Sequence, residues 1–168
     1  ILEKILRRSI SIGMHHIETA RHYGTSEIQI GWAMNKIHDP KRILQTKVPP
    51  SQNPKEFEKE LELSFSKLGK KKIDLLSIHG INIPNHLEQT LCKGGCMDVV
   101  RRWQDEGFIG HVGFSTHGRK DLIIQAIESN QFDYVNLHWY FIRQENTEVL
   151  EVAKKFDLGV FIISPTDK

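Results

Sequence analysis

The sequence has 168 residues, of which 39% are hydrophobic and 26% are charged, a composition that fits one globular domain and excludes a disordered or fibrous chain. Its 23 basic and 21 acidic residues give a formal net charge of +2, so nothing suggests a field strong enough to hold nucleic acid without specific contacts. All apolar runs fall short of the roughly 20 residues of a membrane helix, and we expect a cytoplasmic protein that does not bind membranes.

The chain repeats one unit, in which a short apolar run is followed by a polar loop and a helical pattern. The opening segment, with Leu2, Ile5 and Leu6 on one face, predicts a helix that closes at Gly13. Short apolar runs then predict strands at MHHIET, RILQTKV, KIDLLSIH, HVGFST, FDYVNLH and GVFIIS. Most of them are continuously apolar at their centres, which is typical of parallel strands covered by helices on both faces.

Helical patterns lie between these runs. One helix is predicted to begin with Asn53 as its N-cap and Pro54 as its first residue, and to end at Gly69. Four apolar stripes predict helix faces that point to the core: Phe57, Leu61, Ser64, Phe65 and Leu68; Ile30, Ala33, Met34 and Ile37; Leu122, Ile123, Ala126 and Ile127; and Val149, Leu150, Ala153 and Phe156. Cys92 and Cys96 are too few for a disulfide framework and are predicted to be ordinary thiols in a Gly-rich loop.

Strict alternation of strands and helices leaves two architectures, an open doubly wound sheet or a (β/α)8 barrel. An open sheet that binds a dinucleotide needs a Gly-rich turn after its first strand, and neither GTSE nor KGGC has the form G-x-G-x-x-G. We therefore predict an α/β fold of the (β/α)8 TIM-barrel type. In such a barrel, ligands bind at the carboxyl ends of the strands.

Polar side chains occupy the carboxyl ends of the predicted strands. They are Glu18 with Tyr23 in the following loop, Lys47, His79, Ser115 with Thr116 and His117, Asn136 with His138, and Ser164. A lone lysine or histidine at a strand end is more often structural than functional. Parallel strands bring all these ends to one face, however, so a carboxylate, a tyrosine, a lysine and a histidine are predicted to meet there.

Glu18, Tyr23, Lys47 and His79 form a coherent set for proton transfer. A free phenol is a slow proton donor at neutral pH. A nearby ammonium group favours the phenolate form of a tyrosine, and a carboxylate keeps that ammonium charged and aimed. A histidine adds a hydrogen bond that orients a substrate carbonyl. Such a site protonates a carbonyl oxygen as hydride reaches the carbon.

The segments that carry these residues resemble successive signatures of the aldo-keto reductase family, in the same order and over nearly the whole chain. They are HIETARHYGTSEIQIG, LQTKV, LELSFSKLGKKKIDLLSIHG, EGFIGHVGFST and GVFIISPTDK. The resemblance implies an NADPH-dependent barrel that reduces small aldehydes and ketones. It implies a catalytic tetrad of Glu18, Tyr23, Lys47 and His79, with Tyr23 as the general acid.

The resemblance also implies the contacts of the NADP(H) cofactor, which fall on Ser115, Thr116, Asn136 and Ser164. Several positions depart from the family pattern. Glu18 replaces an aspartate and reaches one methylene further, so it must shift or turn to meet Lys47, and we expect lower activity. Thr116 and Asn136 replace an asparagine and a glutamine, and Ile163 replaces an aromatic residue that stacks on the nicotinamide. The segments CKGGC, STHG and NLHWY most resemble a subgroup in which some members carry a C-terminal iron–sulfur module.

Two alternatives remain open at this point. The first is a non-catalytic reductase-like barrel, or an inactive truncated product. The second is a metal-dependent hydrolase, since His79, His117 and His138 all lie at or near strand ends. The early His-x-His pair of such barrels is missing, because His15 and His16 are adjacent and point to opposite faces of a strand. We therefore predict no metal ligand.

Matched to the family, residues 1–168 run from the first helix to the seventh strand. We therefore expect one partial barrel domain that has about six of the eight strands of the fold, and we expect it to be a fragment of a longer chain. A polypeptide of these residues alone would expose two strand edges, and we expect it to be unstable or to aggregate. Size-exclusion chromatography and thermal unfolding check this expectation. A monomeric product that melts cooperatively would contradict it. The oligomeric state of the complete protein is open.

Overall fold

The computed structural model describes residues 1–164, which alternate between helices and strands. In chain order the elements are α1 (Leu2–Ser11), β1 (His16–Glu18), α2 (Ser26–Met34), β2 (Ile43–Val48), α3 (Pro54–Leu68), β3 (Ile73–Ile78), α4 (Pro84–Leu91), α5 (Cys96–Asp105), β4 (Ile109–Ser115), α6 (Lys120–Glu128), β5 (Tyr134–Leu137), α7 (Thr147–Lys155) and β6 (Gly159–Ile162). The last four residues of the segment GVFIISPTDK lie outside the described part. In residues 1–164, none of the helices is both long and apolar enough to cross a membrane.

The strands form a single parallel sheet in the order β1-β2-β3-β4-β5-β6, so each strand pairs with the next one along the chain. The sheet is strongly curled. The rings of His16 in the first strand, β1, and Phe161 in the last strand, β6, lie only 4.9 Å apart between centroids. Five strand spacings in a flat sheet would separate these strands by ~24 Å. The described residues therefore form an incomplete barrel, a curled half-barrel, which confirms the predicted fold class.

The register of the sheet gives the half-barrel a polar inner face and an apolar outer face. Lys47 of β2 pairs with Ser77 of β3, and Ser115 of β4 pairs with Asn136 of β5, so polar residues of neighbouring strands lie side by side. Side chains alternate across a strand, and the residues between these, such as Val48, Leu76 and Val135, point outward into the main core. Helices α3 to α7 cover that core, to which they contribute buried residues such as Phe57, Leu61, Val100, Ile127 and Val149.

Local signals define α3 as predicted. The side chain of Asn53 accepts a hydrogen bond from the backbone N–H of Lys55 at 3.1 Å, and Pro54 is the first helical residue. Gly69 ends the helix in the left-handed region with φ +61. These three residues satisfy or remove backbone groups that a helix leaves open at its ends.

Two predicted core positions are wrong. Ile5 is 54% exposed, because α1 packs against α2 with its other side, around the buried Leu6. Phe156 is 40% exposed, because it follows the last residue of α7 and no longer continues the helical stripe. The rest of the predicted stripes are buried or partly buried.

The region around the cysteines contains the predicted glycine loop, but also two helices that the sequence patterns did not predict. Residues 93–95 form the loop between the C-cap of α4 at Cys92 and α5, which begins at Cys96. Both thiols are free, as predicted. Cys96 is buried, and its Sγ donates to the backbone carbonyl of Ser51 at 3.3 Å. Burial raises the pKa of the Cys96 thiol, which keeps it protonated and unreactive.

The contact between α2 and α3 gives a test of the packing. A Cβ at Gly31 would lie 2.7 Å from the backbone oxygens of Lys67 and Leu68, which belong to the rigid end of α3. Gly-to-Ala in a helix interior normally stabilises by up to about 1 kcal/mol. Here we expect Gly31→Ala to lower the free energy of unfolding by about 1–3 kcal/mol, because the helices must separate.

Urea unfolding monitored by circular dichroism measures this change, with Ile28→Ala on the exposed side of α2 as the control. A Gly31→Ala protein as stable as the parent would show that the two helices are not in close contact.

Candidate active site

A cleft of about 400 Å³ lies at the carboxyl ends of the strands, on the polar side of the half-barrel. Its lining residues are Glu18, Tyr23, Lys47, His79, Ser115, His117, Ile162, Ile163 and Ser164. The structure thus brings together in one cleft the four residues predicted for catalysis and two of those predicted for the cofactor. They come from five different strands and their following loops.

Lys47 is the most buried charged group in this cleft, with 2% of its side chain exposed. Its ammonium forms an ion pair with Oε1 of Glu18 and donates a hydrogen bond to the backbone carbonyl of Thr19 at 3.1 Å. A buried ammonium is costly unless it is paired and hydrogen-bonded. Both partners come from the end of β1, so this charge ties β1 to β2 at the cleft. The longer side chain of Glu18 therefore does reach Lys47.

Tyr23 lies in the loop between β1 and α2 and is 51% exposed. Nζ of Lys47 lies 5.0 Å from the centroid of its ring, and the imidazole of His79 meets it edge-on with 5.7 Å between centroids. The phenol is therefore next to both the ammonium and the imidazole. Its exposure leaves the ring accessible to a molecule in the cleft.

The loop that carries Tyr23 is fastened to the neighbouring strand. The backbone N–H of Arg21 donates to the carbonyl of Lys47 at 2.8 Å. The guanidinium of Arg21 pairs with Glu60 of α3 at 2.8 Å and with the buried Glu27 of α2 at 3.4 Å. These bonds anchor the loop to β2 and to the helices behind it, two residues before Tyr23.

His79 follows β3, and its backbone N–H donates to the carbonyl of Val48 at 2.8 Å. Burial, together with the positive charge of Lys47 and the histidines His22 and His117, lowers the pKa of His79 to about 4. The imidazole is therefore neutral at pH 7. A neutral imidazole donates one hydrogen bond and accepts another, which suits it to contact a carbonyl oxygen.

The predicted cofactor residues divide into two groups. Ser115 and Ser164 line the cleft, and Oγ of Ser115 accepts a hydrogen bond from the N–H of Gly80 at 3.0 Å. Thr116 and Asn136 lie beneath the surface, with 1% and 0% exposure. Oγ1 of Thr116 donates to the carbonyl of Ile81 at 2.7 Å and is therefore engaged inside the protein.

Sequence reasoning missed three residues at or below the cleft. His117 is predicted to lie at a strand end but not to take part in catalysis or cofactor binding, yet it lines the cleft with His79. Gln45 and Ser77 are fully buried and hydrogen-bonded to each other at 2.9 Å under the site. Both stand two residues before a predicted catalytic residue, so the alternation of side chains along a strand could have found them.

The histidines that suggested a metal site do not form one in the part of the chain described here. Nδ1 of His117 and Nε2 of His138 are 2.9 Å apart and hydrogen-bonded to each other. Within residues 1–164 there is no group of three or more His, Cys, Asp or Glu side chains that could hold a metal ion. The metal-dependent hydrolase thus has no ligand set among these residues.

Comparison with known proteins gives a clear match for the family. The model of the aldo/keto reductase family matches residues 2–168. Among curated proteins no significant match was found.

Solved structures of similar fold include an aldo-keto reductase of Pseudomonas aeruginosa, with 20% identity and a TM-score of 0.81 over 96% of this chain and 64% of that one. The holo form of a Bacillus halodurans aldo-keto reductase has 18% identity and a TM-score of 0.81, over 95% of this chain and 55% of that one. A Klebsiella pneumoniae aldo/keto reductase in complex with NADP and acetate has 20% identity and a TM-score of 0.79, over 96% and 56%. The chain thus spans less than two thirds of the length of these proteins.

The low pKa of His79 predicts how stability varies with pH. The unfolded chain takes up a proton at this residue near its ordinary value of 6.5, whereas the folded chain does so only at about 4. Stability contributed by the neutral imidazole is therefore fully present above pH 6.5 and is lost as the pH falls toward 4. We expect the NMR titration of His79, assigned by its absence in His79→Gln, to have its midpoint near pH 4. The same substitution should flatten the pH dependence of the free energy of unfolding in urea. A midpoint near 6.5 would contradict a neutral, desolvated imidazole.

Proposed function

The chain belongs to the aldo/keto reductase family, and from this premise we propose that the protein is an oxidoreductase that reduces aldehydes or ketones to alcohols with hydride from NADPH. The observation that carries the proposal is the buried ammonium of Lys47, held between Glu18 and the ring of Tyr23 at the edge of an open cleft. An ammonium beside a tyrosine favours the phenolate that proton donation leaves behind, which supports Tyr23 as the proton donor.

The lining of the cleft suits a nicotinamide ring with its carboxamide. Ile163 offers an apolar surface, and the hydroxyl groups of Ser115 and Ser164 offer hydrogen bonds. When bound, NADPH supplies the hydride for the carbonyl carbon. The choice of NADP over NAD rests on family membership and on the Klebsiella relative, which is in complex with NADP.

The residues of this chain would supply the proton. Tyr23 donates its hydroxyl proton to the carbonyl oxygen as that oxygen gains negative charge. The ammonium of Lys47 stabilises the phenolate that remains, and Glu18 keeps Lys47 in place. The neutral imidazole of His79, edge-on to Tyr23, orients the oxygen with a hydrogen bond. Since Tyr23 is half exposed, the carbonyl compound can approach it from the cleft.

The non-catalytic alternative is favoured by Glu18 in the place of an aspartate, by Ile163 and by the missing strands. The ion pair between Glu18 and Lys47 argues against the first of these grounds. A carbonyl reductase is therefore the function that we propose. The likeness to the subgroup with an iron–sulfur module remains a prediction.

Removing the hydroxyl of Tyr23 tests the proposal. We expect Tyr23→Phe to lower kcat by about 10²–10⁴-fold, because a general acid contributes that much. Lys47→Met should cause a loss of similar size. The measurement is NADPH oxidation at saturating cofactor with an aromatic aldehyde, using the full-length protein. Tyr140→Phe, away from the cleft lining, is the matched control.

Fluorescence titration with NADPH should show that Tyr23→Phe still binds the cofactor, so that the loss is one of chemistry. If Tyr23→Phe reduces the aldehyde as fast as the parent, the proposed mechanism is wrong.

A further inference from the structure

A chain of hydrogen bonds runs under the cleft, through side chains that the mechanism does not use. Nε2 of His16 and Oε1 of Gln45 are 2.9 Å apart. Nε2 of Gln45 donates to Oδ1 of Asn136 at 2.9 Å, and Nδ2 of Asn136 donates to Oε2 of Glu18 at 3.3 Å. Ser77 also donates to Oδ1 of Asn136, at 3.3 Å. These residues come from four different strands, and the bond from Asn136 links them to the carboxylate of Glu18.

The bonds determine which way each amide points. Gln45 donates to two acceptors, so its oxygen is the atom that faces His16. Asn136 accepts from Gln45 and Ser77 with its oxygen, which leaves its amino group to face Glu18. A reversal of the Asn136 amide would place its oxygen against a carboxylate and its amino group against another amino group. The donor to Glu18 is therefore fixed by Gln45 and Ser77.

The carboxylate of Glu18 is held at both oxygens. One oxygen pairs with the ammonium of Lys47, and the other accepts from Asn136. A glutamate has three side-chain torsions, and one ion pair alone leaves it several conformations. Two contacts from different strands restrict the side chain of Glu18 to one conformation. The side chain of Glu18 is 31% exposed, so without Asn136 it could swing toward solvent.

We propose that Asn136 is a positioning residue, which holds Glu18 against Lys47 and acts on the reaction only through that pair. The proposal rests on the proposed function. It also replaces the role that the sequence predicted for Asn136, a direct contact with the cofactor. Asn136, Gln45 and Ser77 are all fully buried, and the cleft lining includes none of them. The polar atoms of Asn136 are used within the protein, toward Glu18 rather than toward the cleft.

The test compares Asn136→Leu and Asn136→Asp with the parent. Leucine removes the donor to Glu18 and also the acceptor for Gln45 and Ser77. Aspartate keeps the acceptor but places a second carboxylate next to Glu18. The matched control is Gln131→Leu, at an exposed position before the other end of β5. The measurements are kcat as a function of pH at saturating NADPH, the Kd of NADPH, and thermal unfolding.

If Asn136 positions Glu18, both variants lose about tenfold or more in kcat at neutral pH, and their pH–rate profiles differ from that of the parent because the charge around Lys47 changes. The Kd of NADPH changes less than about twofold. In a Glu18→Gln background, Asn136→Leu adds little further loss, because its effect passes through Glu18. Gln131→Leu behaves as the parent.

Other results overturn the proposal. A Kd of NADPH weakened by about tenfold, with the pH profile unchanged, identifies Asn136 as a cofactor contact. Losses that simply add in the double variant show that Asn136 does not act through Glu18. If Asn136→Leu does not fold, Asn136→Asp decides between the same outcomes.

A readout that does not depend on turnover separates this proposal from the proposed function. The side-chain carboxyl resonance of Glu18, assigned by its absence in Glu18→Gln, should shift in the 13C NMR spectrum of Asn136→Asp and stay in place in Gln131→Leu. A parent protein that reduces no carbonyl compound refutes the proposed function, whereas the resonance still reports whether Asn136 contacts Glu18. A resonance that does not move in an active protein refutes the positioning role.

Discussion

The ammonium of Lys47, buried at the inner face of the sheet, is the constraint on which the site depends. A charge in that position is stable only if it is paired, and the partners within reach are the carboxylate of Glu18 and the carbonyl of Thr19. Both lie at the end of β1, directly before the loop of Tyr23. The same strand end that neutralises the charge therefore also presents the phenol to it. Arg21 closes this arrangement, since its backbone bonds to Lys47 and its side chain to the helices behind.

The curvature of the sheet determines which side chains meet in the site as much as the sequence does. Glu18 in β1 and Asn136 in β5 are four strand spacings apart, ~19 Å in a flat sheet, yet their side chains are 3.3 Å apart. Side chains on this face need space, and Gly113 of β4 leaves room for the ring of its paired neighbour Tyr134, because a Cβ there would lie 2.5 Å from that ring. The inner face is polar because the side chains that meet across it satisfy one another, while the outer face carries the apolar core.

Much of this could be predicted from the sequence, and the physical reasons are local. The strands and the caps of α3 are encoded in short patterns, and parallel strands bring Glu18, Lys47 and His79 to one end whatever the details of packing. The helices α4 and α5 could not be predicted from the pair of glycines near Cys96, because these glycines mark only the loop that separates the two helices. The orientation of Asn136 could not be predicted, because Gln45, which fixes it, is 91 residues away in sequence.

A glutamate at position 18 is compatible with the site because the curled sheet offers it two fixed partners. An acid on a longer side chain has more conformations, and each extra conformation lowers the fraction of molecules in which the ammonium is paired. Asn136 offsets this cost from the opposite side of the interior, where only a short amide is needed to reach Glu18 Oε2. The width of the half-barrel thus links the side-chain length at position 18 to the side-chain length at position 136. It follows that the residue at position 136 belongs physically with the residue at position 18, although the two lie on strands that do not pair.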